Sequence, residues 1–283
     1  MNPIAIPFRV GLARGRIELR QLFTTGPDLI GQFLTPAIAL GVLYLLRNRD
    51  YAGSDSSIAE LALPGLIGSI IAFNGLFGIT NVLVLDREDG TLLRAKTAPN
   101  GMISYFVGKI VASAGSVCVQ VAVVLAAGMV IIGGSSFDGA GAWARFAWVV
   151  LLGLLATLPI GAILGSVLEG PRATFLLTMP MMGLVAISGV FYPVTALPGW
   201  LQGLAQVFPM YWAGLGMRSA LLPEEAVAIE IDQSWRHLET AAVLGIWASA
   251  GLLVAPVVLR RMARHESGSS MQARRDKAMQ RAF

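Results

Sequence analysis

LALPGLIGSIIAFNGLFGITNVLVL, residues 61–85, runs for 25 positions without a charged side chain, and DREDGTLLRAKTAPNG, residues 86–101, follows it at once. A helix needs about 20 apolar residues to cross a bilayer core about 30 Å thick. The first stretch exceeds that length, and its apolarity is continuous rather than alternating, which fits a helix and not a strand of a membrane barrel. Five further runs resemble it: Leu29–Leu46 (with Gln32 and Pro36 inside), Ile110–Ile132, Phe146–Leu168, Ala173–Tyr192 and Leu238–Leu259, with Glu239 at the outer end of the last. Prolines 36, 64, 159 and 180 fall within or near these runs, and a helix bundle tolerates them where neighbours satisfy the freed carbonyls. The expected fold is an all-α integral membrane protein with six transmembrane helices.

Composition supports this. Of 283 residues 55% are hydrophobic and 13% charged, and the mean hydropathy is +0.68. A soluble domain carries about 25% charged residues. The net charge of +4 and pI of 9.6 do not point to nucleic acid, because the basic residues form no stripe interleaved with aromatics. Cys118 is the lone cysteine and His237 and His265 the only histidines, so neither a disulfide framework nor a metal cluster is expected. Arg9, Arg14, Arg16, Glu18 and Arg20 interrupt the N-terminus before any apolar core forms, so no cleavable leader is expected there.

The basic residues set the orientation. With the N-terminus in the cytoplasm, 16 of the 21 Lys and Arg lie inside, among them Arg87, Arg94, Lys96, Lys109, Arg172 and all seven after position 259. Only Arg47, Arg49, Arg145, Arg218 and Arg236 lie outside. The acidic residues divide almost evenly, as expected if they contribute little to topology. Both termini are therefore placed inside. The chain reads as one transmembrane domain, 1–283, with an interface segment at 1–28, a six-span bundle at 29–259 and a basic tail at 260–283 that touches anionic lipid.

Three segments do not span. In FRVGLARGRIELRQLF, residues 8–23, Phe8, Leu12, Leu19, Leu22 and Phe23 recur near helical spacing while Arg9, Arg16 and Arg20 lie elsewhere on the wheel. That pattern fits an amphipathic helix at the cytoplasmic interface, serving as a surface anchor or as a docking element for a partner. The 86–101 segment packs Asp86, Arg87, Glu88, Asp89, Arg94 and Lys96 into eleven residues and ends in a Pro-Asn-Gly turn. It is either a solvated loop or a knob for a cytoplasmic partner. Residues 189–223 are apolar and aromatic but divided by Pro193, Pro198, Gly199 and Pro209 into pieces too short to span, and Trp200, Tyr211 and Trp212 suit an interface. Two short helices in a re-entrant outer hairpin are expected, as a seal over the bundle or as a gate.

Several activities are disfavoured. There is no G-x-x-x-x-G-K-[ST] phosphate loop and no G-x-S-x-G elbow. No acidic or histidine side chain lies deep within a span, where an ion-coupled carrier would need one. Gln32, Asn74, Asn81 and Gln120 are the polar candidates for lining a cavity. Uphill transport would need an energy source on another chain.

Two segments carry a family likeness. Leu85-Asp86-Arg87-Glu88-Asp89-Gly90-Thr91 resembles the E-x-G-T element of ABC-2 type exporter permeases, and Phe191 to Ser219, with Tyr192, Pro193, Leu197, Pro198, Trp200, Pro209 and Trp212, resembles their outer re-entrant segment. Order and span count fit along nearly the whole chain. The likeness is to the actinobacterial group that includes the daunorubicin-resistance multidrug permeases.

This resemblance implies a coupling helix seated on an ATPase through Glu88, Gly90 and Thr91, with Asp86, Arg87, Asp89 and Arg94 around them. It implies a second contact through Arg14, Arg16, Glu18 and Arg20 of the interface helix. It further implies two cytoplasmic ATPase subunits holding ATP and magnesium, a second six-span permease that is identical or related, and no cofactor on this chain. The expected function is ATP-driven export of a hydrophobic or amphipathic cargo (drug, antibiotic or lipid) across the plasma membrane, this chain being no enzyme. A non-transporting assembly protein and an ion-coupled carrier are the alternatives.

Overall fold

The computed structural model describes residues 5–49, 57–133, 139–168, 171–189 and 192–265. Among them every regular element is helical. In chain order these are α1 (Ala5–Leu22), α2 (Gly26–Leu46), α3 (Ile58–Phe73), a π-helical turn (Asn74–Gly78), α4 (Ile79–Glu88), α5 (Thr91–Thr97), α6 (Gly101–Ile132), α7 (Gly139–Val167), α8 (Pro171–Ile187), α9 (Gly199–Val207), α10 (Pro209–Leu221) and α11 (His237–His265).

Among the described residues, five helices are long and apolar enough to cross a membrane: Gly26–Leu46, Ile58–Glu88, Gly101–Ile132, Gly139–Val167 and His237–Arg264. Several outrun their apolar cores. The helix expected from Ile110 begins at Gly101, and the one expected from Phe146 begins at Gly139. At 32 residues α6 is about 48 Å long, so part of it projects beyond a bilayer core. The expected Ala173–Tyr192 span appears as α8, 17 residues or about 26 Å. It stops at Ile187 because Ser188 Oγ donates to the Val185 carbonyl at 2.8 Å and Gly189 turns left-handed at φ 69°.

The second span starts on a capping box. Ser57 Oγ accepts from Glu60 N–H at 3.2 Å, and Glu60 Oε2 accepts from Ser57 N–H at 3.1 Å. Its packing partner is α7, which offers Gly153, Thr157, Gly161 and Gly165, one small residue per turn. A Cβ on Gly153 would lie 2.8 Å from Ile71 Cγ2, and one on Gly165 2.8 Å from the Thr80 carbonyl oxygen. Small side chains let the two backbones touch, which drives helix association in lipid where no hydrophobic effect operates between helices. Thr80 Oγ1 lies 2.6 Å from the Leu76 carbonyl of its own helix and 2.8 Å from the Gly161 carbonyl across the seam.

The other face of α7 holds α11, where a Cβ on Gly251 would lie 2.9 Å from Pro159 Cβ. α10 packs beside the second span instead, where Gly216 meets Val149, one turn before Gly153. All 13 residues of α10 are buried, and Gly214 lies against Gly68 of α3. By contrast α2 turns Ile30, Leu34, Ile38 and Leu45 outward.

The amphipathic α1 packs lengthwise on the first half of α6. Pro7 lies beside Ser104, Gly11 beside Val107, Gly15 beside Val111 and Leu19 beside Gly115, so the two helices run parallel. Arg9, Arg16 and Arg20 stay exposed, and so do Phe8 and Leu12 of the apolar set. The glycines, invisible to an apolar-periodicity reading, form the real seam.

Gly161→Val should drive side-chain atoms into the backbone of Leu76. The expected cost is on the order of 3 kcal/mol, read as a lower melting temperature in detergent. Gly183→Val, at a position with nothing within 4 Å, should melt with the parent. Equal melting of both variants would show that the seam does not carry the bundle.

Candidate coupling site

The chain leaves the second span at Glu88 and re-enters helix at Thr91, pivoting on Gly90 at φ 78°. Any residue with a Cβ is strained at that angle. Asp89 Oδ1 accepts from Thr91 N–H at 2.8 Å and so caps the short α5, while Arg94 Nη2 donates to Thr91 Oγ1 at 3.1 Å. Leu92 and Ala95 are buried and fasten α5 to the bundle. The next turn holds Asn100 left-handed at φ 53°, where the Pro-Asn-Gly signal places a turn.

The seven candidate coupling residues divide by position. Asp86 and Arg87 are buried and face the bundle, whereas Glu88, Asp89 and Arg94 are exposed. Gly90 is buried at the pivot and Thr91 is half-buried beside it. Asp86 Oδ2 accepts from the Tyr105 hydroxyl at 2.6 Å and from Lys109 Nζ at 2.9 Å. Lys109 Nζ also lies 3.1 Å from Glu18 Oε2, and Glu18 Oε1 accepts from Arg14 Nε at 2.8 Å. Two carboxylates and two cations thus balance in one cluster that joins α1, α4 and α6. Arg14 further lies 5.3 Å from the centre of the Tyr105 ring. Arg87 Nη1 donates to the carbonyls of Ser166 and Leu168, at 3.0 and 3.1 Å, capping the end of α7.

Of the interface-helix candidates, Arg14 and Glu18 belong to this cluster, while Arg16 and Arg20 point away from it. Tyr105 and Lys109 were not singled out from the sequence, where Lys109 counts only as an inner basic residue. Their i,i+4 spacing on one helix face, opposite the acidic end of the second span, is the signal that finds them.

At the other end, α9 and α10 form the two expected short helices. Phe191 lies outside the described residues. The Tyr192 hydroxyl donates to the Ala186 carbonyl, and Pro193 leads into the helical turn Val194–Ala196. Leu197 is half-buried, Pro198 precedes α9, Trp200 is exposed, and Pro209 opens α10. Trp212 is buried, its Nε1 donating to the Gln206 carbonyl at 2.7 Å, with Arg236 5.0 Å from its ring.

A buried pair unannounced by any motif holds this end together. Arg218 Nε and Nη2 donate to Glu230 Oε1 and Oε2 at 2.5 and 3.3 Å, and Nη1 donates to the Gly189 carbonyl at 3.1 Å. Arg145 Nε reaches the Ser219 carbonyl at 2.9 Å.

Three of the four cavity candidates bind one another instead of standing apart. Gln120 Nε2 donates to Gln32 Oε1 at 2.5 Å, Asn74 Nδ2 donates to Gln120 Oε1 at 2.9 Å, and Ser116 Oγ donates to Gln32 Oε1 at 3.0 Å. They lock α2, α6 and the π turn together at membrane depth. Asn81 lies outside this network and is half-buried.

Lys109→Met should leave Asp86 and Glu18 facing each other with no cation between them, at a cost of about 3–5 kcal/mol for a buried pair. The measurement is thermal unfolding of the purified chain. Adding Asp86→Asn should restore part of the loss, and a Lys109→Met chain as stable as the parent would remove the cluster's structural role.

The ABC-2 type transporter family model matches residues 16–222. The probable multidrug ABC transporter permease YbhR of Escherichia coli (strain K12) is 27% identical over 204 residues, which cover 71% of this chain and 54% of that protein. The protein of the same name from Escherichia coli O157:H7 matches to the same extent. The chain spans about half the length of these curated relatives. With the family model covering well over half of its residues, this multi-pass helical membrane protein belongs to the ABC-2 type transporter family.

Proposed function

We propose that the chain is the membrane permease of an ATP-driven exporter, energised by two copies of a cytoplasmic ATPase and paired with a second permease, identical or related. The observation that carries this reading is the turn at Glu88–Thr91: acidic side chains face outward on a pivot whose roots, Asp86 and Arg87, are clamped into the bundle. Buried charged roots tie the outward-facing acidic groups rigidly to three helices of the bundle.

In this reading α8 is the sixth span, both termini are cytoplasmic, and residues 1–283 form one transmembrane domain in the plasma membrane. ATP and magnesium belong to the ATPase, and this chain supplies no hydrolytic groups. Closure of the ATPase pair presses on Glu88, Asp89 and α5. Asp86 passes the displacement through Lys109 to α6 and through Glu18 to α1, while Arg87 passes it to the end of α7. The bundle then rocks as a body, because its helices are in backbone contact.

The cargo path has a physical candidate. On the second span Phe73, Asn74, Phe77 and Asn81 form a half-exposed strip, and the two phenyl rings stack at 5.2 Å between centroids. Aromatic faces with an adjacent amide suit a hydrophobic or amphipathic molecule. The name of the Escherichia coli relatives, multidrug permease, points the same way.

The test is Glu88→Lys with Asp89→Lys, scored in cells for export and in membranes for insertion and ATPase co-purification. Export and co-purification should both fall at least tenfold while the amount of inserted chain stays constant. Undiminished export by the correctly inserted double variant would end the coupling role. Parent chain that brings down no ATPase, even after crosslinking, would end the exporter reading itself.

A further inference from the structure

The last turns of α11 carry charge that the coupling cluster does not use. Ile246, Leu253 and Val257 lie on one face of this helix and are 67%, 75% and 67% exposed. The same face continues into Arg260 and Arg264, with Arg261 at its side. The three arginines and Val257 line an open groove of about 470 Å³. Among the described residues, none of the three has a carboxylate in ion-pairing range.

Three like-charged guanidinium groups on one helix end repel one another, and the negative pole of the helix dipole offsets that repulsion only in part. A ligand with delocalised negative charge relieves the repulsion, and guanidinium binds phosphate oxygens in a two-pronged fork. The apolar face says what else that ligand carries. Val257 lies about 5 Å along the axis from Arg260 and about 10 Å from Arg264, so the apolar face begins directly beside the guanidinium groups. A soluble phosphate would engage the arginines alone, whereas a phospholipid also runs along Val257, Leu253 and Ile246.

We propose that this groove binds one anionic phospholipid, its phosphate on Arg260, Arg261 and Arg264 and its acyl chains along Val257, Leu253 and Ile246. The inference rests on the membrane placement and not on the coupling or cargo reading. The cytoplasmic C-terminus proposed above makes the lipid one of the inner leaflet, where anionic lipid supplies the charge.

Native mass spectrometry of the full chain in neutral detergent, titrated with phosphatidylglycerol, tests this without any ATPase or transport assay. Phosphatidylglycerol should bind at least tenfold tighter than phosphatidylcholine, and glycerol 3-phosphate at equal concentration should not displace it. Arg260→Gln with Arg264→Gln should weaken phosphatidylglycerol at least tenfold, whereas Arg47→Gln with Arg49→Gln, an equal loss of charge at the far end of α2, should change it less than twofold. Leu253→Gln with Val257→Gln, which keeps all three arginines, should also weaken it. Unchanged binding by the Arg260/Arg264 variant would overturn the site. Equal weakening by the Arg47/Arg49 variant would reduce it to diffuse attraction, and displacement by glycerol 3-phosphate would remove the acyl half.

Discussion

The bundle depends on how closely its second span approaches α7. Between two helices in lipid no water is released, so cohesion must come from dispersion and from hydrogen bonds at short range. Gly153, Thr157, Gly161 and Gly165 supply the short range, and Thr80 supplies a hydrogen bond across it. The consequences reach far from the seam. Once the second span is fixed against α7, its inner end places Arg87 under the last carbonyls of α7 and Asp86 beside Lys109. The far side of α7 is then free to receive α11.

The two ends of the molecule solve the same problem differently. On the Glu88 side the charges form a net-neutral cluster open to side-chain rearrangement, since Glu18 keeps a fifth of its side chain exposed. On the α10 side Arg218 and Glu230 are almost wholly enclosed and joined by two hydrogen bonds, with a third to the Gly189 carbonyl. A buried pair of this kind contributes little net stability compared with an apolar replacement, but breaking it is costly. It therefore serves to fix which segments meet: the end of α8, the whole of α10, and the loop before α11.

Much of this was legible in the sequence. Runs of 18 or more uncharged residues can only be buried or lipid-covered helices, and the helical class and five of the spans follow from that physics alone. Proline spacing marked out α9 and α10 because proline suits the opening of a helix, as Pro198 and Pro209 do here. The E-x-G-T element drew attention to residues 86–94, yet charge counting could not tell Asp86 from Glu88. Which of two adjacent charged residues faces inward is decided by helical phase, and the phase here is set by the π turn at Asn74–Gly78. Tyr105 and Lys109 stayed hidden for the same reason, and the glycine seam between α1 and α6 because periodicity of apolar residues does not register glycine.

That π turn also behaves as a gear. A π bulge amounts to one residue inserted into an α-helix, and one residue is about 100° of rotation. Everything below Gly78 is therefore turned by roughly that angle relative to a continuous helix on the same axis. Asp86 meets Lys109, and Arg87 meets the end of α7, only with this offset in place. Asn74, at the head of the turn, is held by Gln120, which is held in turn by Gln32. The amide chain at mid-membrane thus sets the angular position of acidic groups about a dozen residues further down the helix. Deleting a single residue between Asn74 and Gly78 would leave the span long enough to cross the bilayer while swinging its Glu88 end to the wrong side, an error that no hydropathy profile would register.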